Sequence, residues 1–139
     1  LLEDEGLSFC HGSPINLEDF EYVFNVHQAN QLIYHWEELG HITFIGHSHL
    51  TKVFAVTEDE ALDVVAPKFA LRDGMKYIIT VGSVGQPRDY DPRACAGLYD
   101  TEKREFEYVR VEYDVESQRQ KIIDAGLAHN FGTRLLLGI

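Results

Sequence analysis

The stretch Ile42-Thr43-Phe44-Ile45-Gly46-His47-Ser48-His49 decides the fold. Its first four residues form an apolar, β-branched-rich run without polar alternation, which is typical of a strand covered on both faces. The Gly-His-Ser-His sequence follows directly, so we expect the two histidines to stand on extended or near-extended backbone and to point to the same side. Open α/β sheets bind ligands beyond the carboxyl ends of their strands. The stretch therefore predicts a site in which His47 and His49 ligate one metal, or one each of two neighbouring metals.

Mixed α and β elements surround this strand. We expect further strands over 7–11, 52–57, 63–66 and 77–81, and a hairpin of 96–100 and 105–113 joined by 101–104. In the last of these strands the apolar phase slips from even-numbered to odd-numbered residues, which predicts a β-bulge. A helix over about 29–39 carries an apolar stripe, and a helix over 115–125 leads into a short helical tail that reaches residue 137. The predicted fold class is α/β (α+β), with loops gathered where strands end.

Composition limits the kinds of partner. The chain has 139 residues, of which 45% are hydrophobic, and a formal net charge of -11 at pH 7. This length suits one domain, and the acidic balance excludes nonspecific binding to nucleic acid or to an anionic membrane, since both need a positive surface. No apolar run is long enough to span a bilayer, and no secretory signal is visible. Cys10 and Cys95 are too few for a disulfide scaffold, so we expect a reduced, cytoplasmic protein.

His11 has the same setting as the histidine pair, because it ends the predicted strand 7–11 and is followed by the tight turn Gly12-Ser13-Pro14. A histidine in a turn is by itself more often structural or solvated than a ligand. Together with His47 and His49, however, it makes three histidines at strand ends. Such a set suits Zn, Mn, Fe, Co or Ni.

A glycine-containing loop, Gly82-Ser83-Val84-Gly85-Gln86-Pro87-Arg88-Asp89, follows the predicted strand 77–81. Its glycines allow backbone N–H groups to turn toward an anion, and the serine adds a hydroxyl. The arginine has the planar fork that holds two phosphate oxygens. The residues expected to bind a substrate phosphate are Gly82, Ser83, Gly85 and Arg88. A plain connecting loop, in which the arginine pairs with a neighbouring aspartate, is an equally good interpretation.

The three segments His11-Gly12-Ser13-Pro14, Gly46-His47-Ser48-His49 and Gly82 to Arg88 resemble the last part of a calcineurin-like metallophosphoesterase. The most similar branch is that of the compact bacterial and archaeal enzymes described as phosphodiesterases or as diadenosine-tetraphosphatase-like. The order, the spacing and the strand-end placement of the motifs agree, and the closing stretch from Tyr113 to Gly138 is similar as well. The resemblance implies the C-terminal part of a four-layer αββα sandwich.

The same resemblance implies a dinuclear centre of two divalent metal ions (Mn, Zn, Ni, Co or Fe). His11 and His47 would ligate one ion, and His49 would ligate the other. The implied reaction is hydrolysis of phosphomonoester, phosphodiester or pyrophosphate bonds in a phosphorylated small molecule or nucleotide by a metal-bridging hydroxide.

The chain also departs from the family. It lacks the motifs with which the family begins, Asp-x-His, Gly-Asp-x-x-Asp and Gly-Asn-His-Asp/Glu, which would supply the remaining ligands and the histidine that assists the leaving group. Since the chain starts at Leu1 rather than Met, we expect residues 1–139 to be the C-terminal part of a single phosphoesterase domain. Alone it would be inactive, and it contains no certain catalytic residue.

Two other interpretations remain. The chain is a non-catalytic module that binds one metal weakly or binds only a partner, or it is a mononuclear three-histidine hydrolase. The second of these explains the histidines but neither the glycine-containing loop nor the closing stretch.

Overall fold

Two β-sheets packed face to face form the centre of the structure, a computed structural model that describes residues 1–139. The strands in chain order are β1 (Leu2–Asp4), β2 (Leu7–Cys10), β3 (Ile42–Ile45), β4 (Thr51–Val56), β5 (Ala61–Asp63), β6 (Lys68–Ala70), β7 (Lys76–Val81), β8 (Ala94–Asp100) and β9 (Glu105–Val111). The larger sheet has six strands in the order β1-β2-β3-β7-β4-β5, and the smaller has three in the order β6-β9-β8. The mixed α and β class with a two-sheet sandwich is confirmed.

Helices lie outside the two sheets. They are α1 (Val26–Gln31), α2 (Val115–Asp124) and α3 (His129–Leu137), with 3-10 turns at Leu17–Asp19 and Leu32–Glu38. The first helix packs against β4 and β5, whereas α2 and α3 pack against each other. The backbone N–H of Tyr90 donates to the carbonyl of Gly138 at 2.8 Å, which ties the end of α3 to the sandwich. No helix in the structure combines the length and the apolar character that crossing a membrane requires.

Side chains alternate between the two faces of the larger sheet, as the pleat of a strand requires. One face packs against the smaller sheet through a cluster that includes Phe44 and Phe106. The opposite face packs against the helical segment through a cluster that includes Ile45 and Leu32. All four residues of β3 are buried between these layers, as the apolar run predicts.

The three central strands β2, β3 and β7 run parallel to one another. Cys10 pairs with Ile45, and Ile45 pairs with Thr80, so the strands end side by side. The segments that follow these strands therefore leave the sheet at the same edge. This pairing places the three motifs found in the sequence next to one another.

The helix predicted over 29–39 begins earlier and changes type. The side chain of Asn25 accepts a hydrogen bond from the N–H of Gln28 at 2.9 Å, and this cap starts the helix at Val26. From Leu32 onward the chain forms a 3-10 helix with a non-helical residue at His35. The apolar stripe is confirmed, since all of its members pack into one cluster: Leu32, Ile33, Trp36 and Leu39.

The strand predicted over 63–66 begins two residues and ends three residues too late, because β5 covers Ala61–Asp63. The Asn30 side chain of α1 accepts a hydrogen bond from the N–H of Ala61 at 2.8 Å, which holds this earlier segment beside the helix. The other predicted strands and the two C-terminal helices are confirmed to within about two residues, the usual scatter of assigned boundaries.

The predicted β-bulge is absent. β8 and β9 pair without interruption from Ala94 opposite Val111 to Asp100 opposite Glu105. The apolar phase slips because β9 carries apolar residues on both of its faces. Phe106 is fully buried against the larger sheet, whereas Val111 is 55% exposed on the outer face.

Candidate functional site

Three histidines from two separate segments of the chain line one shallow depression of about 470 Å³ at the edge where β2, β3 and β7 end. They are His11, His47 and His49. Gly82 and Ser83, which follow β7, line the same depression. Of the residues expected to bind phosphate, Gly85 and Arg88 lie outside this lining.

His11 and His47 are in direct contact. The Nδ1 atom of His47 lies 2.9 Å from the Nε2 atom of His11, so one ring donates a hydrogen bond to the other. The two nitrogens are close enough to bind a single ion, whose bonds to imidazole nitrogen are about 2.0–2.1 Å long. The structure thus places the predicted pair together across 36 residues of sequence.

The surroundings of His47 favour its neutral form, which is the form that binds metals. Burial, followed by the electrostatic effects of His11, His49 and Arg88, holds the pKa of His47 below its ordinary value. Arg88 therefore acts on this ring through its charge even though it lies outside the lining of the depression.

The backbone of the Gly-His-Ser-His segment differs from the predicted extended form. His47 has φ +55° and His49 has φ +59°, so both adopt the left-handed conformation. The N–H of Ser48 donates to the carbonyl of Gly46 at 2.6 Å, which closes a tight turn. The two histidines line one depression because of this turn and not because of strand alternation. The prediction of extended backbone at His47 and His49 is therefore wrong.

Left-handed backbone at a non-glycine residue costs about 1–3 kcal/mol and is concentrated at active sites and ligand clamps. Two such residues within three positions support a functional role for the turn.

His49 has a defined tautomer. Its Nδ1 atom lies 2.8 Å from the backbone carbonyl oxygen of Gln86, which only accepts hydrogen bonds, so Nδ1 carries the proton. In the neutral form of this ring, the other nitrogen, Nε2, carries a lone pair. A histidine that binds a metal is held in this way, with its second nitrogen donating to a carbonyl or a carboxylate.

The backbone N–H groups of the loop after β7 donate to oxygen atoms of the protein itself. The Oγ atom of Ser83 accepts hydrogen bonds from the N–H of Gly85 at 3.2 Å and from the N–H of Gln86 at 2.9 Å. The N–H of Gly82 donates to the carbonyl of Leu50 at 3.0 Å. The N–H groups of Gly85 and Gln86 thus bond within the loop, and that of Gly82 bonds to the segment before β4. None of the three points toward an anion, contrary to the predicted cradle.

The guanidinium of Arg88 contacts neither neighbouring aspartate. Its Nε and Nη2 atoms donate to the side-chain oxygen of Gln86 at 3.2 and 2.9 Å. Asp89 pairs with Arg110 instead, and Asp91 pairs with Arg93. The predicted ion pair between Arg88 and a neighbouring aspartate is therefore wrong.

Two aromatic residues next to the histidines escaped the sequence analysis. The ring of Tyr22 stacks on that of His47 at 4.2 Å between centroids, and the ring of Phe20 meets His11 edge-on at 5.6 Å. Both are partly exposed, at 43% and 50%. The only signal in the sequence was the spacing of these two aromatic residues, two positions apart, in a segment without a regular pattern.

The residues present fit part of a metal centre. The Nδ1 atom of His47 lies within hydrogen-bond distance of the Nε2 atom of His11. No group of three His, Cys, Asp or Glu side chains, however, is arranged to hold a metal ion. His49 stands apart from the pair with its Nδ1 bound to Gln86. A complete shell for two ions is thus not formed by these side chains alone.

Cys10 lies beside His11 and is half-buried, with its Sγ donating to the carbonyl of Gly12 at 3.2 Å. Burial raises the pKa of this thiol from 9.0 to about 11. Because the thiolate is the reactive form, we expect Cys10 to be alkylated more slowly in the folded chain than in urea at about pH 8. Iodoacetamide labelling followed by mass spectrometry of the Cys10 peptide measures this.

Because the pKa of Cys10 is higher in the folded chain than in the unfolded chain, the free energy of unfolding depends on pH. The thiol contributes stability that is fully present below pH 9.0 and is lost as the pH rises through about 11. Equal labelling rates in the folded and unfolded chains would contradict the burial of Cys10.

The chain is similar to known proteins in its sequence and in its fold. No family model matches the chain. The uncharacterized protein MJ0912 of Methanocaldococcus jannaschii is 36% identical over 130 residues, which are 94% of this chain and 51% of that protein. The chain spans about half the length of this curated relative.

Solved structures are similar over the whole chain. A metallophosphoesterase from Sphaerobacter thermophilus superposes with a TM-score of 0.81 at 28% identity, covering 99% of this chain and 57% of that one. The hypothetical protein PH1004 from Pyrococcus horikoshii superposes with a TM-score of 0.68 at 18% identity, covering all of this chain and 50% of its own, and shows the fold alone.

Proposed function

Because the chain shares its fold with a metallophosphoesterase, we propose that it carries the histidine half of a metal-dependent phosphoesterase active site. The substrate is a phosphorylated small molecule or nucleotide, and the bond cleaved is a phosphomonoester, a phosphodiester or a pyrophosphate. The enzyme belongs to the compact bacterial and archaeal phosphodiesterase or diadenosine-tetraphosphatase-like type. The contact of His11 with His47, at the edge shared with His49, carries this proposal.

His11 and His47 hold one divalent ion, and His49 holds the other. The lowered pKa of His47 keeps this ring neutral and ready to bind. The Gln86 carbonyl fixes the tautomer of His49 and leaves Nε2 free for the second ion. Two ions of Mn, Zn, Ni, Co or Fe held there would lower the pKa of a bound water and would neutralise charge on the phosphoryl oxygens.

Arg88 and the loop after β7 attract and orient the phosphate. The positive charge of Arg88 already acts on His47, so it lies within electrostatic reach of an anion bound there. To contact a phosphate directly, the guanidinium exchanges its bonds to the Gln86 side chain for bonds to phosphate oxygens. Gly82 and Ser83 form the wall of the depression on this side, and Gly85 follows them in the same loop.

The remaining ligands of the dinuclear centre come from outside residues 1–139. The site of this chain offers imidazoles, whereas two neighbouring divalent ions would also need an anionic ligand. No carboxylate joins the histidines. Residues 1–139 are then one part of a single phosphoesterase domain, and full activity needs the other part.

Metal analysis of the purified chain tests the proposal. After equilibration with Mn, Zn, Co or Ni and removal of free metal, we expect fewer than two ions per chain, bound through His11 and His47. The matched control is His129→Asn, since His129 is exposed at the start of α3 and should leave the stoichiometry unchanged. Failure to bind any of these metals would exclude the histidine pair as ligands, and two ions per chain would exclude the need for outside ligands.

A substrate panel on the natural full-length protein tests the reaction. The substrates are an aryl phosphomonoester, an aryl phosphodiester and a dinucleoside polyphosphate, each with Mn, Zn, Ni and Co. Metal-dependent turnover of any of them supports the enzyme.

The lack of a carboxylate at the site favours a second candidate, a non-catalytic module that binds a metal or a partner. Metal binding without turnover in the full-length protein would select this module. We also propose a cytoplasmic location, in keeping with the free thiols of Cys10 and Cys95. Nonspecific binding to nucleic acid or to membranes is not expected at a net charge of -11.

A further inference from the structure

The carboxylate of Asp89 lies at the end of the loop after β7 and is held from two sides. The hydroxyl of Thr51 donates to its Oδ2 atom at 2.6 Å. The guanidinium of Arg110 donates to the same oxygen through Nη2 and to Oδ1 through Nη1. The Asp89 and Arg110 side chains are only 13% and 16% exposed, so this ion pair is largely removed from water.

Arg110 is fixed by more than this pair. It extends from β9, and its Nη1 atom also donates to the backbone carbonyl of Arg93 at 3.4 Å. Its Nη2 atom lies 3.4 Å from the hydroxyl of Thr51, and its Nε atom lies 3.7 Å from Asp91. One guanidinium thus joins β9, the first residue of β4 and the loop.

The same loop contacts the histidine turn at consecutive points. The N–H of Arg88 donates to the carbonyl of His49 at 3.2 Å, and Nδ1 of His49 donates to the carbonyl of Gln86 at 2.8 Å. Thr51, two residues beyond His49, then binds Asp89. The contacts between 86–89 and 49–51 form a ladder of hydrogen bonds, and the last of them joins Thr51 to the Asp89–Arg110 ion pair.

We propose that Asp89 and Arg110 are positioning residues, which set the orientation and the tautomer of the His49 imidazole through this ladder. The positioning of His49 is inferred from the contacts alone. Only its purpose, to aim Nε2 of His49 at a metal ion, rests on the proposed function. Neither residue touches the ion or the substrate.

The physical reason is the cost of a buried, unpaired charge. Removing the charge of Asp89 takes away the ion pair that holds both Nη atoms of Arg110 and leaves only the longer ionic contact of Nε with Asp91 at 3.7 Å. A guanidinium so poorly paired in a site largely closed to water pulls water or another acceptor toward it. The end of the loop then shifts, and with it the carbonyl of Gln86. The Nδ1 proton of His49 loses its fixed acceptor, so both tautomers become populated.

The test is the ¹⁵N spectrum of the His49 ring in the metal-free chain, recorded at alkaline pH where imidazoles in general are neutral. In the wild-type chain we expect one protonated and one unprotonated nitrogen, at Nδ1 and Nε2. In Asp89→Asn the two resonances should move toward each other as the tautomers average. In the full-length protein, metal affinity should fall by about 10- to 100-fold, as for the loss of a group that orients a metal-binding histidine.

The matched control is Asp73→Asn, which breaks another aspartate–arginine pair, that of Asp73 with Arg104 at the turn between β8 and β9. It should leave the His49 resonances in place. Unmoved His49 resonances in a folded Asp89→Asn chain would overturn the proposal. If Asp89→Asn fails to fold, Thr51→Val removes a single rung of the ladder, and unmoved resonances there overturn it equally.

The two arms separate the positioning role from the proposed function. The ring spectrum needs no metal, so it decides the positioning role even if the wild-type protein binds none. Absence of metal binding in the wild-type protein would count against the phosphoesterase and leave the spectral result standing.

Discussion

Replacing His47 by Asn is expected to weaken metal binding by at least about 100-fold while the chain stays folded. Structural zinc sites bind with about 10–16 kcal/mol through four ligands, or roughly 3 kcal/mol for each, which corresponds to about 100-fold in affinity. His47 is one of only two imidazoles in contact, so its loss leaves His11 alone. Calorimetric titration with Zn or Mn measures the change.

Asparagine is the appropriate substitute because position 47 has a left-handed backbone, which asparagine adopts more readily than most residues. The fold should therefore survive, although the ring stacking on Tyr22 is lost. The control His129→Asn should retain wild-type affinity. Wild-type affinity in His47→Asn would remove this residue from the metal site.

Replacing Phe106 by Ala is expected to lower the free energy of unfolding by about 3–5 kcal/mol. Phe106 is fully buried between the two sheets and packs against Phe44, Phe69 and Tyr108 at 4.8–6.1 Å between ring centroids. An ordinary domain is stable by only about 5–15 kcal/mol, so a large share of the total is lost. Urea unfolding followed by circular dichroism measures the loss.

Leu98→Ala is the matched control for this core variant. Leu98 lies on the neighbouring strand β8 but is 59% exposed on the outer face of the smaller sheet. Its loss should cost much less, within about 0.5 kcal/mol for a surface position. Comparable losses in the two variants would mean that the sheets are not packed through Phe106.

The parallel centre of the fold was predictable because its signals are local. An unbroken apolar run such as Ile42–Ile45 is recognisable without knowledge of its neighbours, and all four of its residues are buried. Strand ends carry the site in sheets of this kind, so the edge shared by His11, His47 and His49 could be expected. The strand at Ala61–Asp63 was misplaced because it depends on a hydrogen bond that Ala61 donates to a helix residue 31 positions away.

The details of the site depend on contacts that leave no pattern in the sequence. Sequence spacing suggested extended backbone at His47 and His49, but the turn at Ser48 reverses the chain within three residues. Glycines suggested free N–H groups in the loop, but the hydroxyl of Ser83 binds two of its donors. The pairing of Asp89 with Arg110 joins charges 21 residues apart, where nearer partners were equally available by charge alone.

The parallel pairing of β2 with β3 ties the histidine pair to the folding of the whole chain. A parallel pair cannot close through a short hairpin, and 36 residues separate His11 from His47. Contacts across such distances form late, after the entropy of closing a long loop has been overcome. No isolated hairpin or helix of the chain holds the two rings together, so the capacity to bind an ion arises and vanishes with the global fold. Any ion that binds there stabilises the entire sandwich by mass action.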